Sequence, residues 1–187
     1  MSNFRQHIKD NPLEELKIFS GKFISIGLLV KYPERFEEYL RDLEINSYDI
    51  KNFEVNIAVP DNESEFQAIS KVIEKTPIEV RVVKLPYEYL NAMKSHNIMI
   101  KELSDQNTYF YINNSDRCRF SSKNWDIIIK QYIGSVPDDM FFLRGSNFSK
   151  NMKFRKSAQD AYYFPEQWGV YTRRYLQATD GFLEFHT

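Results

Sequence analysis

The sequence has little material for covalent cross-links or for binding polyanions. Cys118 is its only cysteine, which excludes an internal disulfide bond and a cysteine-based zinc cluster. A single cysteine also agrees with a reducing compartment, so we expect a cytoplasmic protein. The formal net charge is −1, which provides no overall positive field for nucleic acid or for an anionic membrane. Nucleic acid is therefore not an expected partner.

Long apolar runs are missing from the N-terminal region. Residues 1–17 mix charged residues with single apolar ones and match neither a signal peptide nor a membrane span. We expect no integral membrane segment, and residues 1–21 are predicted to be an N-terminal extension. The remaining residues, 22–187, suffice for a single domain with a sizeable core.

What the sequence does contain is a regular alternation of short apolar segments and helical patterns. Five apolar segments predict strands, at residues 22–31, 53–60, 78–85, 108–113 and 140–145. After the first of these, Pro33 opens a helix whose apolar residues recur at helical spacing. Strands that alternate with helices require right-handed crossovers and a mostly parallel central sheet with helices on both faces. The predicted fold class is therefore α/β.

Capping residues predict where three further helices begin. The candidates are Ser64 with Gln67 as a capping box, the pair Ser121 and Ser122, and Thr172. Residues after Gly145 carry no periodic pattern and predict a long loop. The alternation of apolar and polar residues in 181–187 predicts a final strand.

Polar residues follow three of the predicted strands. Lys31 follows the first strand, Asp61 follows the second, and the fourth ends in Asn113-Asn114-Ser115-Asp116. In an open parallel sheet the ligand crevice lies beyond the carboxyl ends of the strands. A carboxylate there suits Mg²⁺ or Mn²⁺, which prefer oxygen ligands and take only one or two of them from the protein. These strand ends therefore predict a site for a metal and a diphosphate.

Taken in order, these segments resemble the GT-A fold glycosyltransferases, which transfer a sugar from a nucleotide donor. Residues 114–116, Asn-Ser-Asp, resemble the family's Asp-x-Asp motif, with Asn114 in place of the first acid. "FISIGLLVKYPERFEEYL" is similar to the opening strand and helix, "VPDNES" to the loop that carries Asp61, and "AMKSHNIMIKEL" to the helix that carries Asn97. "SSKNWDIII" is similar to the helix after the motif. The resemblance covers about residues 22–145.

The resemblance implies a Rossmann-like GT-A fold and a role for particular residues. It implies a nucleotide-binding core over residues 22–145 and an acceptor-side loop and C-terminal segment over 146–187, either as one domain or as the donor-binding part of a longer protein. The implied nucleotide-binding residues are Val30, Lys31, Asp61, Asn97, Asn114 and Ser115. The implied ligand of a Mn²⁺ or Mg²⁺ ion is Asp116. A second ligand is predicted from the residues themselves, because His186 shares a face of the predicted final strand with Glu184 and imidazole binds such ions; the alternative is a frayed chain end. The candidates for the general base are Asp180, Glu184 and Glu166.

The activity that the resemblance implies is a metal-assisted, inverting transfer of a sugar. The donor is a nucleotide-diphosphate sugar, and the acceptor is a hydroxyl group of a carbohydrate or of another molecule. In this interpretation Asp116 holds the cation that neutralises the leaving diphosphate.

The residues themselves leave other interpretations open. Asp116 can instead cap a turn, and Asp61 can cap the helix that follows it. Asn97 and His96 can be polar groups of the core whose hydrogen bonds are satisfied there. For His96 we prefer this interpretation, with a bond to a backbone carbonyl.

Other functions also remain open. Arg117 and Arg119 either contact phosphate or acceptor, or belong to a solvated surface. A non-catalytic nucleotide-sugar binding module would explain Asn114. A sugar nucleotidylyltransferase has a similar sheet, but it needs a Gly-rich basic loop after the first strand, and "LLVKYPERF" has none.

Overall fold

Six strands of the described residues form a central, mostly parallel sheet. The computed structural model describes residues 21–144 and 169–182. The strands are β1 (Ile24–Leu29), β2 (Phe53–Pro60), β3 (Val80–Leu85), β4 (Phe110–Ser115), β5 (Phe142–Arg144) and β6 (Gly169–Thr172), in the spatial order β3-β2-β1-β4-β6-β5. The first four strands are parallel, whereas β6 runs antiparallel to both β4 and β5. The predicted α/β class is confirmed.

Helices cover both faces of this sheet. They are α1 (Pro33–Asn46), α2 (Glu63–Ile73), α3 (Ala92–Ile98), α4 (Trp125–Lys130) and α5 (Arg173–Ala178). α3 continues into a π-helical turn (Met99–Leu103), and single 3₁₀ turns lie at Ile50–Asn52 and Tyr87–Tyr89. α1, α2 and α4 share one apolar core with the sheet, and α3 and α5 pack on the other face. None of the helices in the described ranges is long and apolar enough to cross a membrane.

The first strand and helix form where the sequence pattern predicts them. In β1 the alternate residues Ile24, Ile26 and Leu28 join the larger core, while Ser25 and Gly27 face the layer of α3. In α1 the apolar stripe Phe36, Tyr39, Leu40 and Leu43 is buried. Full burial of each such side chain contributes roughly 1.5–3 kcal/mol relative to exposure. The remaining faces of α1 carry charged residues, so the helix has one possible orientation on the sheet.

Two of the predicted helix caps are wrong. The N-cap of α2 is Asn62, whose side-chain oxygen accepts hydrogen bonds from the backbone N–H groups of Ser64 and Glu65. Ser64 already lies inside the helix, so it cannot cap it. α4 begins after Asn124, which has a left-handed backbone (φ 54°) and no side-chain cap bond. Thr172 caps α5 as predicted.

The C-terminal region differs from the prediction. β6 pairs with β4, although no strand was predicted at residues 169–172. Gly181 and Phe182 do not continue a strand, and the rest of the predicted final strand, 183–187, lies outside the described residues. The predicted loop after Gly145 also lies outside them.

A buried carboxylate joins the end of α1 to α4. Asp126 is fully buried and accepts hydrogen bonds from the backbone N–H of Tyr48 at 2.7 Å and of Asp49 at 3.2 Å. Its second oxygen also accepts from Asn52 Nδ2 at 2.8 Å. Because backbone donors are costly to leave unpaired in the interior, this carboxylate holds the loop between α1 and β2 in place.

A buried polar network ties α5 to the amino ends of the strands. Arg173 is 6% exposed and donates through Nη2 to the hydroxyl groups of Ser104 and Thr108, both at 2.6 Å. Ser25 links this group to the fully buried Glu54, to which its Oγ donates at 2.7 Å. Burial lowers the pKa of Arg173, and the network offsets part of that cost. It lies at the opposite edge of the sheet from the carboxyl ends of the parallel strands.

Candidate functional site

The carboxyl ends of β1, β2 and β4 lie at one edge of the sheet. Leu29 of β1 is in register with Ala58 of β2 and with Ser115 of β4. Lys31 and Asp116, which follow these strands, therefore reach the same edge. From β1 the chain crosses to β2 on one side, whereas β4 lies on the other side. This is a topological switch point, where open α/β sheets bind their ligands.

Asp116 lies in a pocket at this switch point. The pocket has a volume of about 530 Å³ and is lined by Arg35, Asp116, Arg117 and Arg119. Asp116 is only 5% exposed, and its Oδ2 atom is buried without a hydrogen-bond partner. A buried carboxylate oxygen that lacks a partner is costly, and such a group in a native site needs an explanation. A ligand that donates to this oxygen would provide one.

Arg119 connects the segment after β4 to α1 and lines the pocket at the same time. Its Nη1 donates to the backbone carbonyls of Asp116 at 3.1 Å and of Cys118 at 3.0 Å. The same guanidinium forms ion pairs with Glu38 at 2.5 Å and with Asp42 at 3.2 Å, both on α1. Arg119 thus fastens the segment after β4 onto α1, and its charge is largely compensated.

The other cations at this edge are not compensated. Lys31, Arg35 and Arg117 form no ion pair with an acid in the described ranges; the Arg35 guanidinium stacks over the ring of Tyr32, 4.6 Å from its centroid. Arg35 belongs to the first turn of α1, whose N-cap residue, Tyr32, makes no side-chain cap bond. The N-terminus of a 14-residue helix carries partial positive charge. This part of the crevice is therefore suited to an anion.

The sequence pattern did not identify Arg35. Its position on the helical pattern assigns it to the solvent-facing side of α1, and the structure places it in the pocket. Its position in the chain could have predicted this role, because the first turn of the helix that follows β1 starts at the carboxyl edge of the sheet.

Asn114 and Ser115 are occupied by local bonds. The Asn114 side chain is buried, donates from Nδ2 to the Tyr39 hydroxyl at 2.9 Å and accepts from the Ser115 N–H at 2.8 Å. Burial raises the pKa of Tyr39 well above its ordinary value, so its hydroxyl stays protonated. Ser115 Oγ accepts from the Arg117 N–H at 3.2 Å. Both residues hold the strand end in place.

Asn97 and His96 lie on the other face of β4, beneath the sheet. Asn97 donates from Nδ2 to the Phe182 carbonyl at 2.9 Å and accepts from the Phe182 N–H at 2.8 Å. His96 is buried, bonds the Tyr111 hydroxyl at 2.8 Å and also bonds the backbone of Asn114. Burial lowers the pKa of His96 to about 3. Neither residue lines the pocket around Asp116.

Gly27 leaves room beneath β1 for the side chains of His96 and Tyr111. A Cβ atom at this position would lie 1.9 Å from the Tyr111 hydroxyl oxygen and 2.7 Å from His96 Nδ1. Only a residue without a side chain leaves room for this hydrogen-bonded pair.

Val30 directly follows β1, and Asp61 directly follows β2. Val30 has its side chain in the core, and its N–H donates to the Ala58 carbonyl at 3.0 Å. A nucleotide could reach only its backbone. Asp61 is exposed, and its N–H donates to the Leu85 carbonyl at 2.9 Å. Because Asn62 provides the cap of α2, the Asp61 carboxylate is left facing the solvent at the carboxyl edge.

The predicted general bases are not brought into the pocket by the described residues. The Asp180 side chain is 94% exposed after α5 and lies 3.9 Å from Lys101. It does not line the pocket that contains Asp116. Glu166, Glu184 and the predicted metal ligand His186 lie outside the described residues.

The pocket offers few ligands for a metal ion. Within residues 21–144 and 169–182 no group of three or more His, Cys, Asp or Glu side chains is placed to hold one. Asp116 is the single carboxylate among the pocket residues, and the other three are arginines.

Comparisons with known proteins agree with this geometry at the level of the fold. A mannosyltransferase from Pyrobaculum calidifontis, solved in complex with GDP-Man and Mn²⁺, has a TM-score of 0.63 and 11% identity over 95% of this chain and 52% of its own. TarS from S. aureus has a TM-score of 0.57 and 15% identity over 84% of this chain and 49% of its own. The chain thus spans about half the length of these two proteins.

A nucleotide-transferring enzyme is also similar in structure. The 4-diphosphocytidyl-2C-methyl-D-erythritol synthase from Anaerococcus prevotii has a TM-score of 0.51 and 13% identity over 89% of this chain and 79% of its own. No protein-family model matches the sequence, and no curated protein matches it. At such low identities the likeness shows the fold alone. The chain therefore has the Rossmann-like GT-A fold that the resemblance over residues 22–145 implied.

Proposed function

We propose that this chain binds a nucleotide-diphosphate sugar and transfers the sugar to an acceptor hydroxyl group. One observation carries the proposal. Asp116 directly follows β4 at the switch point, it lines a pocket together with three arginines, and its buried Oδ2 lacks a hydrogen-bond partner. A sugar nucleotide offers both groups that such a site needs, since its hydroxyl groups donate and its diphosphate is an anion.

The proposed placement of the donor follows from the charges along the edge. The diphosphate would lie at the N-terminus of α1, beside Lys31, Arg35 and Arg117. Asp116 would accept hydrogen bonds from hydroxyl groups of the ribose or of the transferred sugar. Asp61, exposed directly after β2, would contact the nucleoside.

Four further residues would support the crevice without binding the diphosphate. Val30, Asn114 and Ser115 would shape it from the strand ends, and Asn97 would support β4 from the opposite face.

The proposed reaction is a direct displacement at the anomeric carbon. The acceptor oxygen forms a bond to that carbon, the bond to the diphosphate oxygen breaks, and the nucleoside diphosphate leaves with the electron pair. The acceptor proton passes to a base, for which Asp180 and Glu184 remain the proposed candidates. Guanidinium groups stabilise the negative charge that develops on the leaving oxygen. Inversion at the sugar is proposed from the resemblance to the GT-A family.

The GT-A resemblance also implies a divalent cation, and one structural neighbour was solved with Mn²⁺. The described residues do not fit such an ion well. Asp116 provides one carboxylate, both polar atoms of the Asn114 side chain are used in other bonds, and three guanidinium groups line the same pocket. We therefore assign no step to a metal here. A role for Asp116 and His186 as ligands of Mn²⁺ or Mg²⁺ stays a prediction, as does the cytoplasmic location.

A second candidate is a nucleotide-sugar binding module without activity. It is favoured by Asn114, which stands where the family motif has an acid, and by the pocket, to which the described part of the chain contributes no acid besides Asp116. Both candidates bind the donor, and they differ only in turnover.

The test is donor binding and turnover with the full chain. Isothermal titration with a panel of nucleotide sugars should identify a donor, and release of nucleoside diphosphate should then be measured with and without hydroxyl acceptors. Asp116→Asn should weaken donor binding about tenfold or more, as expected for a lost charge-assisted hydrogen bond. The matched control is Asp138→Asn, an exposed acid outside the pocket.

Each outcome of this test separates the candidates. Binding followed by release of nucleoside diphosphate supports the transferase, and binding without release supports the module. If no nucleotide sugar binds, or if Asp116→Asn binds as the wild type does, the proposed site is wrong. A large loss of melting temperature in Asp116→Asn would assign this residue a structural role instead.

A further inference from the structure

The balance of charge in the pocket is unusual for a site that would bind a metal ion. Three guanidinium groups and one carboxylate face it. Arg119 is already paired with two acids of α1, Glu38 and Asp42, so its guanidinium group is not free to bind a ligand. Arg35 and Arg117 remain, without an ion pair in the described ranges, against the single charge of Asp116. The pocket lining thus offers a divalent cation one carboxylate among three guanidinium groups, whereas it offers a pyrophosphate group two guanidinium groups that form no ion pair in the described ranges.

Asn114, at the first position of the motif, is not available as a ligand for a cation because its side chain is already hydrogen-bonded. Asn114 takes the place of the first acid of the family motif, and it carries no charge. Its Nδ2 donates to the buried Tyr39 hydroxyl, and its Oδ1 accepts from the Ser115 N–H. The side chain is 2% exposed, so it cannot turn toward the pocket without breaking both bonds inside the core. The motif therefore provides one metal ligand rather than two.

The backbone adds to the attraction for an anion. α1 is 14 residues long and has no side-chain cap, so the N–H groups of Glu34 and Arg35 in its first turn are not satisfied by the helix itself, whereas Pro33 has no N–H. The Glu34 carboxylate on the same turn offsets part of this positive charge. Arg35 extends from that same turn, and Lys31 lies between the end of β1 and the N-cap residue of α1, Tyr32. Arg117 approaches from the end of β4. The segments that follow the neighbouring strands β1 and β4 thus bring Arg35 and Arg117 to the same pocket.

We infer that Arg35 and Arg117, with Lys31 and the uncapped N-terminus of α1, bind the pyrophosphate group of the donor without a divalent cation. The inference rests on the proposed function, because it concerns the same site and the same ligand. In this arrangement the guanidinium groups take the role that a metal ion has in a site with two carboxylates. They neutralise the leaving diphosphate, and Asp116 is left to accept hydrogen bonds from hydroxyl groups.

The test compares binding of three probes, inorganic pyrophosphate, UDP and GDP, to the full chain in two buffers. One buffer contains EDTA and the other contains Mn²⁺. We expect at least one probe to bind in EDTA with a Kd within about threefold of its Kd in Mn²⁺. Arg35→Gln and Arg117→Gln should each raise that Kd about tenfold, as for the loss of one charge-assisted contact. Arg41→Gln is the matched control, because Arg41 lies on the same helix, is exposed and makes no ion pair in the described ranges.

The possible results separate this inference from the proposed function. Binding that needs Mn²⁺ overturns the inference and leaves the nucleotide site standing. Binding in EDTA that is unaffected by Arg35→Gln and Arg117→Gln, or equally affected by Arg41→Gln, overturns the assignment of these arginines. If none of the probes and no nucleotide sugar binds in either buffer, the proposed function itself fails. Melting temperatures of the variants, which we expect to match the wild type, exclude a loss of folding as the cause.

Discussion

Lowering the pH should destabilise this protein through one buried side chain, His96. The side chain is 1% exposed and packs against the ring of Tyr111. Burial lowers the pKa of His96 to about 3, from an ordinary value of 6.5. In the folded protein the imidazole is therefore neutral at any pH well above 3.

The sign of the effect follows from proton binding. Between the folded and the unfolded pKa, the unfolded chain takes up a proton at His96 that the folded protein does not, so acid favours unfolding. The contribution of neutral His96 is fully present above pH 6.5 and is lost progressively as the pH falls toward 3. Each pH unit in that window is worth about 1.4 kcal/mol, so the loss at about pH 5 is about 2 kcal/mol.

The assay is urea unfolding of the wild type and of His96→Gln at about pH 7.5 and about pH 5. Gln cannot titrate, so the variant reports the pH dependence of all other groups. The variant is itself expected to be less stable, and the informative quantity is the change between the two pH values. We expect the wild type to lose about 2 kcal/mol more than the variant. Equal losses in both proteins would show that His96 is not buried in its neutral form.

Three further substitutions test the packing that supports the site. Asp126→Ala should lower the free energy of unfolding by about 3 kcal/mol, because three part-buried donors lose their acceptor. The control substitution of an exposed acid, Glu44→Ala, should change it by less than about 0.5 kcal/mol. Asn62→Ala should cost about 1 kcal/mol through the lost cap of α2, and Ser64→Ala clearly less; the reverse order would contradict the observed cap. Gly27→Ala should cost more than about 2 kcal/mol, since its Cβ would overlap the hydroxyl beneath it, and a wild-type melting temperature would disprove that contact.

The parts of the fold that could be predicted from the sequence are those fixed by neighbouring residues. The boundaries of β2 at 53–60 match the prediction, and the stripe of α1 is buried as expected, because both depend on local periodicity. The cap of α2 was missed by two positions, since Asn62 and Ser64 are both good caps and only the path of the chain decides between them. β6 was missed because four residues become a strand only by pairing with β4.

The same distinction applies to the site. Asp116 could be placed at the sheet edge because it directly follows a strand. The hydrogen-bond partner of Asn97 could not be predicted in this way, because Phe182 lies 85 residues away along the chain. The helical pattern predicts a solvent-facing position for Arg35, whereas the structure places it in the pocket. An amphipathic pattern describes only how a helix packs on its sheet, so it carries no information about what lies beyond the end of the helix.

The position of β4 has a consequence for biosynthesis. One of its neighbours, β1, is made before it, and the other, β6, is made last among the described strands. A nascent chain that has emerged only as far as β5 therefore exposes unpaired amide and carbonyl groups along one side of β4. Such a side readily recruits strands from other molecules. Shortened translation products that end before residue 169 should accordingly aggregate, and the ribosome-bound chain would benefit from a chaperone until synthesis is complete.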